Sequence, residues 1–275
     1  NALVGEKIAI TSEKPQTTRR AIRGILNRPG GQLVVVDTPG VHRPRTLLGQ
    51  RLNDLVETVL GDVDVIAFCV PANEKVGPGD RRIAASLDGY ARAKKIAIVT
   101  KTDTAERDET VERLMEVDSL RDDWAAVIPL SSETGDQLEV LADEVLALMP
   151  EGPALYPDDI TTDESLEDRI AEIIRESALS DVRDELPHSI AVQIEDIAAR
   201  EGRDDLTDVW ANVIVERDSQ KAIIIGHRGS RLREVGARAR AQIEPLVGTK
   251  VFLSLHVRVA KEWQRDPKHL GRLGF

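Results

Sequence analysis

The chain has 275 residues, 41% hydrophobic and 31% charged, the composition of a soluble globular protein with room for two domains. Aromatics are only 3%, so the cores must be aliphatic, and no stretch reaches the ~18 consecutive apolar residues of a membrane span. The net charge of −11 is uneven: residues 219–275 hold 12 Lys/Arg against Glu234, Glu244, Glu262 and Asp266, a net of +8 that leaves −19 on the rest, so one end suits a polyanion and the other does not.

In chain order, Lys14 to Arg19 is a polar loop. Leu33-Val34-Val35-Val36, Val63 to Val70, Lys95 to Val99 and Ala125 to Leu130 are apolar runs. Their continuity predicts strands covered on both faces, as in a parallel sheet. Between them, Leu47 to Leu60, Gly79 to Tyr90 and Asp108 to Val117 show helical apolar spacing. Asp136 to Met149 reads as an amphipathic helix stopped by Pro150. This rhythm predicts a three-layer α/β domain over residues 1–150. Cys69, the single cysteine, falls in an apolar run, so it is expected to be a buried structural thiol in a reducing compartment. The first residues carry no secretory signal.

Residues 151–164, rich in Pro, Gly and Asp, read as a linker. A different rhythm follows over 165–275. Leu166 to Leu179 is helical, Ser189 to Ile197 and Val209 to Val215 are strands, and Ala222 to Ile225 is a short apolar piece. A Gly226-His227-Arg228-Gly229 turn, a basic helix from Ser230 to Leu246 and a strand from Val251 to Val259 complete it. The order predicts an α+β domain with a three-stranded sheet.

Three runs end in short polar loops with distinct chemistry. Asp37-Thr38-Pro39-Gly40 follows the first. There a carboxylate can reach a Mg²⁺ shell through water, and Gly40 lets a backbone N–H approach a terminal phosphate. Thr100-Lys101-Thr102-Asp103 follows the third. Asp103 can accept from guanine N1–H and N2–H₂, a pair adenine does not offer, while the stem of Lys101 lies over the base. Ser131-Ser132-Glu133 follows the fourth and suits a backbone contact to the base O6. In the upstream loop a Thr hydroxyl can join the Mg²⁺ shell, and the Thr-Arg pair at this place in similar proteins implies Thr18 rather than Thr17. Each loop by itself is also an ordinary turn, with Asp103 as a helix cap; their joint spacing favours the nucleotide. No G-x-x-x-x-G-K-[ST] loop occurs in these residues, so residues 1–275 alone are expected to bind GTP and GDP poorly and to be inactive.

In the basic half, the G-x-x-G loop permits close approach of a nucleic-acid backbone, and the N–H groups of the helix from Ser230 favour phosphate. The candidate contacts are Ile225, Gly226, His227, Arg228, Gly229, Ser230, Arg231 and Arg233. Ile223, Ile224 and Ile225 are expected to wall an apolar groove for splayed bases. The five His residues show no ligand spacing.

Over essentially its whole length the chain resembles the Era family of bacterial GTPases. The resemblance is carried by Pro15 to Arg19, Asp37 to His42, Thr100 to Asp103, Glu185-Leu186-Pro187-His188-Ser189, Val215-Glu216-Arg217-Asp218-Ser219-Gln220-Lys221, Gly226 to Gly229 and the ending Leu270 to Phe275. It implies a TRAFAC-class, P-loop-NTPase-like G domain, an α/β three-layer fold, followed by an α+β type II KH domain. It also implies GTP hydrolysis with Mg²⁺ as cofactor, binding of the 3′ end of 16S rRNA, and a part in maturing the 30S subunit. A cytoplasmic location, with peripheral association at the inner membrane face, is implied as well. Thr100 and Ser132 depart from the usual Asn and Ala, and His227 stands where the family often has Lys. Val41, just after Gly40, matches the class's apolar residue where other GTPases place a water-orienting Gln. No general base is identifiable, and the expected enzyme is slow without a partner or ion to position water. The rival reading is a nucleotide-independent RNA-binding protein with a degenerate G domain.

Overall fold

The computed structural model describes all residues except Glu13, Pro15 and 181–188. Pro15 of the first polar loop, and residues 185–188 of the Glu-Leu-Pro-His-Ser string, therefore lie outside the described residues. The chain divides into two compact units. The first comprises Asn1–Lys7, Ala21–Asp37 and Leu55–Asp163, and the second Ile8–Arg20, Thr38–Asp54 and Glu164–Phe275.

The first unit opens with an antiparallel hairpin, β1 (Ile22–Arg28) and β2 (Gly31–Asp37), with Ile22 opposite Asp37 and Arg28 opposite Gly31. This corrects the expectation of a parallel-sheet strand at Leu33–Val36. Pro29-Gly30 makes the turn, with Gly30 at φ +100, and a Pro-Gly pair is the sequence signature of such a reversal. Three parallel strands follow in spatial order β3 (Val65–Pro71), β4 (Lys94–Thr100), β5 (Trp124–Pro129). Central β4 is apolar from Ile96 to Val99 because both its faces are covered. Ala97 and Val99 pack with Ala84 of α2 (Pro78–Ser86) and Val117 of α3 (Arg107–Asp118). Ile96 and Ile98 pack with Leu141 of α4 (Leu138–Leu148). These are the three layers. On β3 the pattern alternates instead: Ile66, Phe68 and Val70 are buried, and Cys69, facing the other way, is exposed, contrary to the expected buried thiol. Residues 155–161 run along the hairpin. Gln32 Oε1 accepts from the N–H groups of Leu155 at 2.9 Å and Tyr156 at 3.0 Å, and Ile25 N donates to the Thr161 carbonyl at 2.8 Å.

The second unit contains α5 (Leu166–Leu179), β6 (Ala191–Arg200), β7 (Arg203–Val215), α6 (Asp218–Ile225), α7 (Ser230–Val247) and β8 (Lys250–Val259). Strand order is β6-β7-β8, the first pair antiparallel and the second parallel. Alternate residues Val209, Ala211, Val213 and Val215 of β7 meet Ile170 and Ile174 of α5 and Val235, Ala239 and Ile243 of α7. Both β6 and β7 run longer than the apolar signal, up to a turn at Gly202 with φ +73, because their charged ends pair as a hairpin arm.

Beyond β8 lies a part with no counterpart in the periodicity reading. Asp266 caps α8 (Pro267–Arg272) by accepting from Lys268 N at 2.8 Å. Trp263, in the preceding turn, is fully buried with Leu270, Leu273, Ala191 and Ile214. Leu48 and Leu52, from the first half of α1 (Leu47–Asp62), join the same cluster. Replacing Trp263 by Ala is expected to cost roughly 3–5 kcal/mol, the usual range for a buried aromatic. Urea unfolding measures it, and a loss below about 1 kcal/mol would show that the cluster does not depend on the indole.

Candidate nucleotide-reading and nucleic-acid sites

Because β4 and β5 are adjacent and parallel, the loops at their carboxyl ends lie side by side, where open α/β sheets bind ligands. Lys101 adopts a left-handed conformation, φ 56 and ψ 38. The turn that follows is fixed by Thr104, whose hydroxyl donates to the Lys101 carbonyl at 2.8 Å. Thr102 N donates to the Leu130 carbonyl, at the start of the neighbouring loop, at 3.3 Å. The central contact is between the two loops: the hydroxyl of Ser131, 1% exposed, donates to Asp103 Oδ1 at 2.5 Å. The same hydroxyl oxygen accepts from Thr134 N at 3.1 Å. Ser131 thus aims a carboxylate whose residue is exposed. Lys101, Ser132 and Glu133 are exposed around it. Thr100 behaves differently. Its hydroxyl donates to the Val70 carbonyl at 3.4 Å, tying the ends of β3 and β4.

Asp37 ends β2 and is exposed. Thr18 and Gly40 lie on segments that belong to the second unit. A Cβ built on Gly40 would meet nothing within 4 Å, so no protein packing demands glycine there and close approach by a ligand remains its rationale. Thr17 spends its hydroxyl inside the loop, donating to the Lys14 carbonyl at 2.6 Å. Among the described residues no cluster of three His, Cys, Asp or Glu could hold a metal alone. A hydroxyl and a single carboxylate are hard oxygen donors that fit Mg²⁺ only when phosphate oxygens complete its shell.

The G-x-x-G loop is a sharp break between α6 and α7. Gly226 sits at φ +70, and a Cβ there would lie 2.7 Å from Arg231 Cβ and 3.1 Å from Arg231 N. Arg228 and Gly229 are also left-handed, at φ 50 and 76. Arg233 donates through Nε to the Gly229 carbonyl and through Nη2 to the Arg228 carbonyl, both at 3.3 Å, so it shapes the loop. His227, Arg228 and Ser230 are exposed. Arg231 Nε and Nη2 are buried without a hydrogen-bond partner, an arrangement that an anion at the loop would satisfy. The isoleucines divide: Ile224 is fully buried in the core, Ile225 packs against it half-buried, and Ile223 is 48% exposed. Ile224 therefore does not wall a groove, a correction that follows from the ~100° step between successive helix residues, which turns Ile223 outward and Ile224 into the core. Arg228→Ala is expected to weaken binding of a single-stranded RNA by about 1 kcal/mol and to lower the salt slope by about one phosphate contact. Titrations at several salt concentrations read both; an unchanged slope would place Arg228 away from phosphate.

Sequence reading gave no role to Arg19 or Arg175, which are 4% and 2% exposed. Arg19 Nη1 donates to the Ile190 carbonyl at 2.7 Å, and its guanidinium lies 5.9 Å from the Trp263 ring centroid. Arg175 Nη2 donates to the Thr17 carbonyl. Only their position beside Thr17-Thr18 could have drawn attention to them.

Residues 1–102 match the family model for a 50S ribosome-binding GTPase, and residues 185–264 match that for a KH domain. The chain is 57% identical to GTPase Era of Nocardioides sp. over 282 residues, covering all of this chain and 90% of that protein. It is 57% identical to GTPase Era of Mycobacterium tuberculosis, covering all of this chain and 92% of that one. A crystal structure of Era in complex with MgGDPNP and nucleotides 1506–1542 of 16S ribosomal RNA superposes with a TM-score of 0.96 at 33% identity, covering 100% of this chain and 92% of that chain. Aquifex aeolicus Era bound to GDP·AlF4⁻ superposes at 0.95, also at 33% identity and with the same coverage.

Proposed function

This chain belongs to the Era family of GTPases, and from that premise we propose that it binds and hydrolyses GTP, binds the 3′ region of 16S rRNA, and serves maturation of the 30S subunit. The observation that carries the nucleotide half is the Ser131 hydroxyl holding Asp103 beside Lys101. Ser131 occupies one carboxylate oxygen, and the outward oxygen and remaining lone pairs accept from guanine N1–H and N2–H₂. Lys101 covers the base through its stem, and the backbone of Ser132 and Glu133 reads O6. Thr100 supports this loop through Val70. Adenine would leave the carboxylate facing an acceptor, a mismatch that sites built on hydrogen bonds reject strongly.

Thr18 and Asp37 are the residues proposed to meet Mg²⁺, which when bound with GTP neutralises charge developing on the phosphates. Gly40 offers its N–H to the terminal phosphate. Val41, 49% exposed, carries no group that orients water, so hydrolysis depends on positioning and on a partner or ion. We assign nucleotide work to residues 1–150, connection to 151–164 and RNA binding to 165–275. No helix among the described residues is long and apolar enough to cross a membrane; a cytoplasmic site of action, with peripheral contact at the inner membrane face, belongs to this proposal.

The test uses the protein with a phosphate-binding loop ahead of Asn1. GTP hydrolysis is followed by phosphate release with and without Mg²⁺, and binding of a 16S rRNA 3′ fragment by titration. Mg²⁺-dependent release of phosphate from GTP and not ATP, with RNA bound, is expected. RNA binding without any guanine-nucleotide affinity would instead establish a nucleotide-independent RNA-binding protein.

A further inference from the structure

We propose that the outward face of the β6-β7-β8 sheet, around Trp210 and Asp196, binds an arginine- or lysine-rich segment of a second protein. This face lies opposite the helices that carry the G-x-x-G loop, and the functional reading above gives it no work.

The face is defined by strand alternation. Val209, Ala211 and Val213 of β7 point into the core shared with α5, α7 and Ile224 of α6, so the residues between them point the other way. At one end of that outward face Ala191 and Ile214 are covered by Trp263, Leu270 and Leu273. Toward the hairpin arm it is open: Phe252 and Asp196 are exposed and Trp210 is half-buried. The chain has only three Trp. Trp124 stacks on Phe68 and Trp263 is fully buried, whereas Trp210 and Phe252 join none of the buried clusters. Core packing therefore does not account for this aromatic pair.

Two cross-strand pairs on the open part have the same make-up. Asp208 stands opposite Phe252, and Asp196 stands opposite Trp210. The first pair shows what such a pair holds. Arg200 lies over the Phe252 ring, 4.9 Å from its centroid, and its Nε and Nη2 donate to the two Asp208 carboxylate oxygens at 3.0 and 2.5 Å. One guanidinium is thus stacked on the ring and forked by the carboxylate. The second pair offers the better ring, since indole attracts a cation more strongly than phenyl. No Arg or Lys among the described residues lies over Trp210. Asn212, next along the outward face, adds an acceptor. It is 1% exposed, its Nδ2 donates to Glu195 Oε1 at 2.6 Å, and its Oδ1 is buried without a hydrogen-bond partner. A buried acceptor with no donor is costly, and an incoming N–H answers it. The Glu195–Arg258 ion pair beside it is exposed, and such pairs are weak enough to yield to a competing cation.

Charge decides between a protein and a nucleic acid. The cations around this face are spent within the chain: Arg200 on Asp208, Arg203 on Asp205, Arg258 on Glu195 and Lys250 on Glu244. Asp196, Glu201 and Asp204 remain, all exposed and in no ion pair among the described residues. This local acidity stands out in a half whose last 57 residues carry a net of +8. It repels phosphate and attracts cations. An aromatic face, a carboxylate and an unanswered acceptor together suit a guanidinium or an ammonium on a neighbouring protein, while the G-x-x-G side stays open to RNA.

The test titrates a fluorescently labelled peptide of alternating Arg and Gly onto the full protein, with an alternating Glu and Gly peptide as control. Binding of the Arg peptide alone, weakened by salt, is expected. Trp210→Leu, which keeps an apolar side chain and removes the ring, should lower its affinity by about tenfold. Asp196→Asn should lower it by about fivefold. The double variant should lose less than the product of the two, as for groups that hold one cation. Asp108→Asn, an exposed acid on α3, should change it by less than about twofold, and affinity for a short single-stranded RNA should stay within about twofold in every variant. Three outcomes overturn the proposal. The wild type does not bind the Arg peptide; or Asp196→Asn loses no more than Asp108→Asn, which leaves only diffuse attraction to an acidic surface; or the variants lose RNA and keep the peptide, which makes the face a nucleic-acid surface. If Trp210→Leu lacks a native melting curve, Asp196→Asn decides alone, because that side chain is exposed.

Discussion

Replacing Gly226 and Gly229 together by Asp is expected to lower affinity for single-stranded RNA by about 100-fold or more, since two carboxylates would stand where phosphate approaches. The two positions contribute differently. At Gly226 a side chain would collide with Arg231, so part of the loss there comes from distortion of the helix start. At Gly229 nothing lies within 4 Å of a built Cβ, and Asp is among the residues that best tolerate its left-handed backbone. Gly229→Asp is therefore the cleaner probe, adding charge without a clash. Isotherms at several salt concentrations, with guanine-nucleotide affinity as the control for folding, make the measurement. Unchanged RNA affinity in the folded double variant would leave only a generic basic surface, with the strand lying along α7.

Asp103→Asn is expected to reverse base preference, moving the GTP-to-XTP ratio by about 100-fold or more. The substitution keeps an oxygen to accept the Ser131 hydroxyl, so the loop should hold its shape. The amide then presents a donor where the carboxylate had accepted from guanine N2–H₂, and xanthine carries an oxygen at that position. Competition between the two nucleotides, in protein with its phosphate loop, reads the ratio. A variant that still prefers GTP would show that another group reads the base.

Much of this was legible because the chemistry is local. Asp37, Lys101 and Asp103 stand at the ends of apolar runs, and a buried strand must end where its polar residues begin. The G-x-x-G loop was legible for a related reason, since two glycines permit a positive-φ turn and close backbone approach with a basic helix directly behind them. The hairpin arm β1 was missed although Pro29-Gly30 announces a reversal, because Gly24 and Asn27 blur its alternation. Cys69 was misplaced because an apolar run does not say whether one or both faces of a strand are covered. The division of Ile223 from Ile224 required the rotation of α6, which composition cannot supply.

The sequence by itself determined the two kinds of unit, the family, and which short loops carry nucleotide and RNA chemistry, because periodicity and loop composition are properties of neighbouring residues. Tertiary structure alone decided that Ser131 orients Asp103, that Arg233 braces its own loop, and that the Thr18 and Leu48–Leu52 segments join the unit built on Trp263. Those facts depend on pairs 28 residues apart, as for Ser131 and Asp103, or 171 apart, as for Arg19 and Ile190. No local pattern encodes such pairs; they exist only once burial of the apolar faces has brought the strands and helices together.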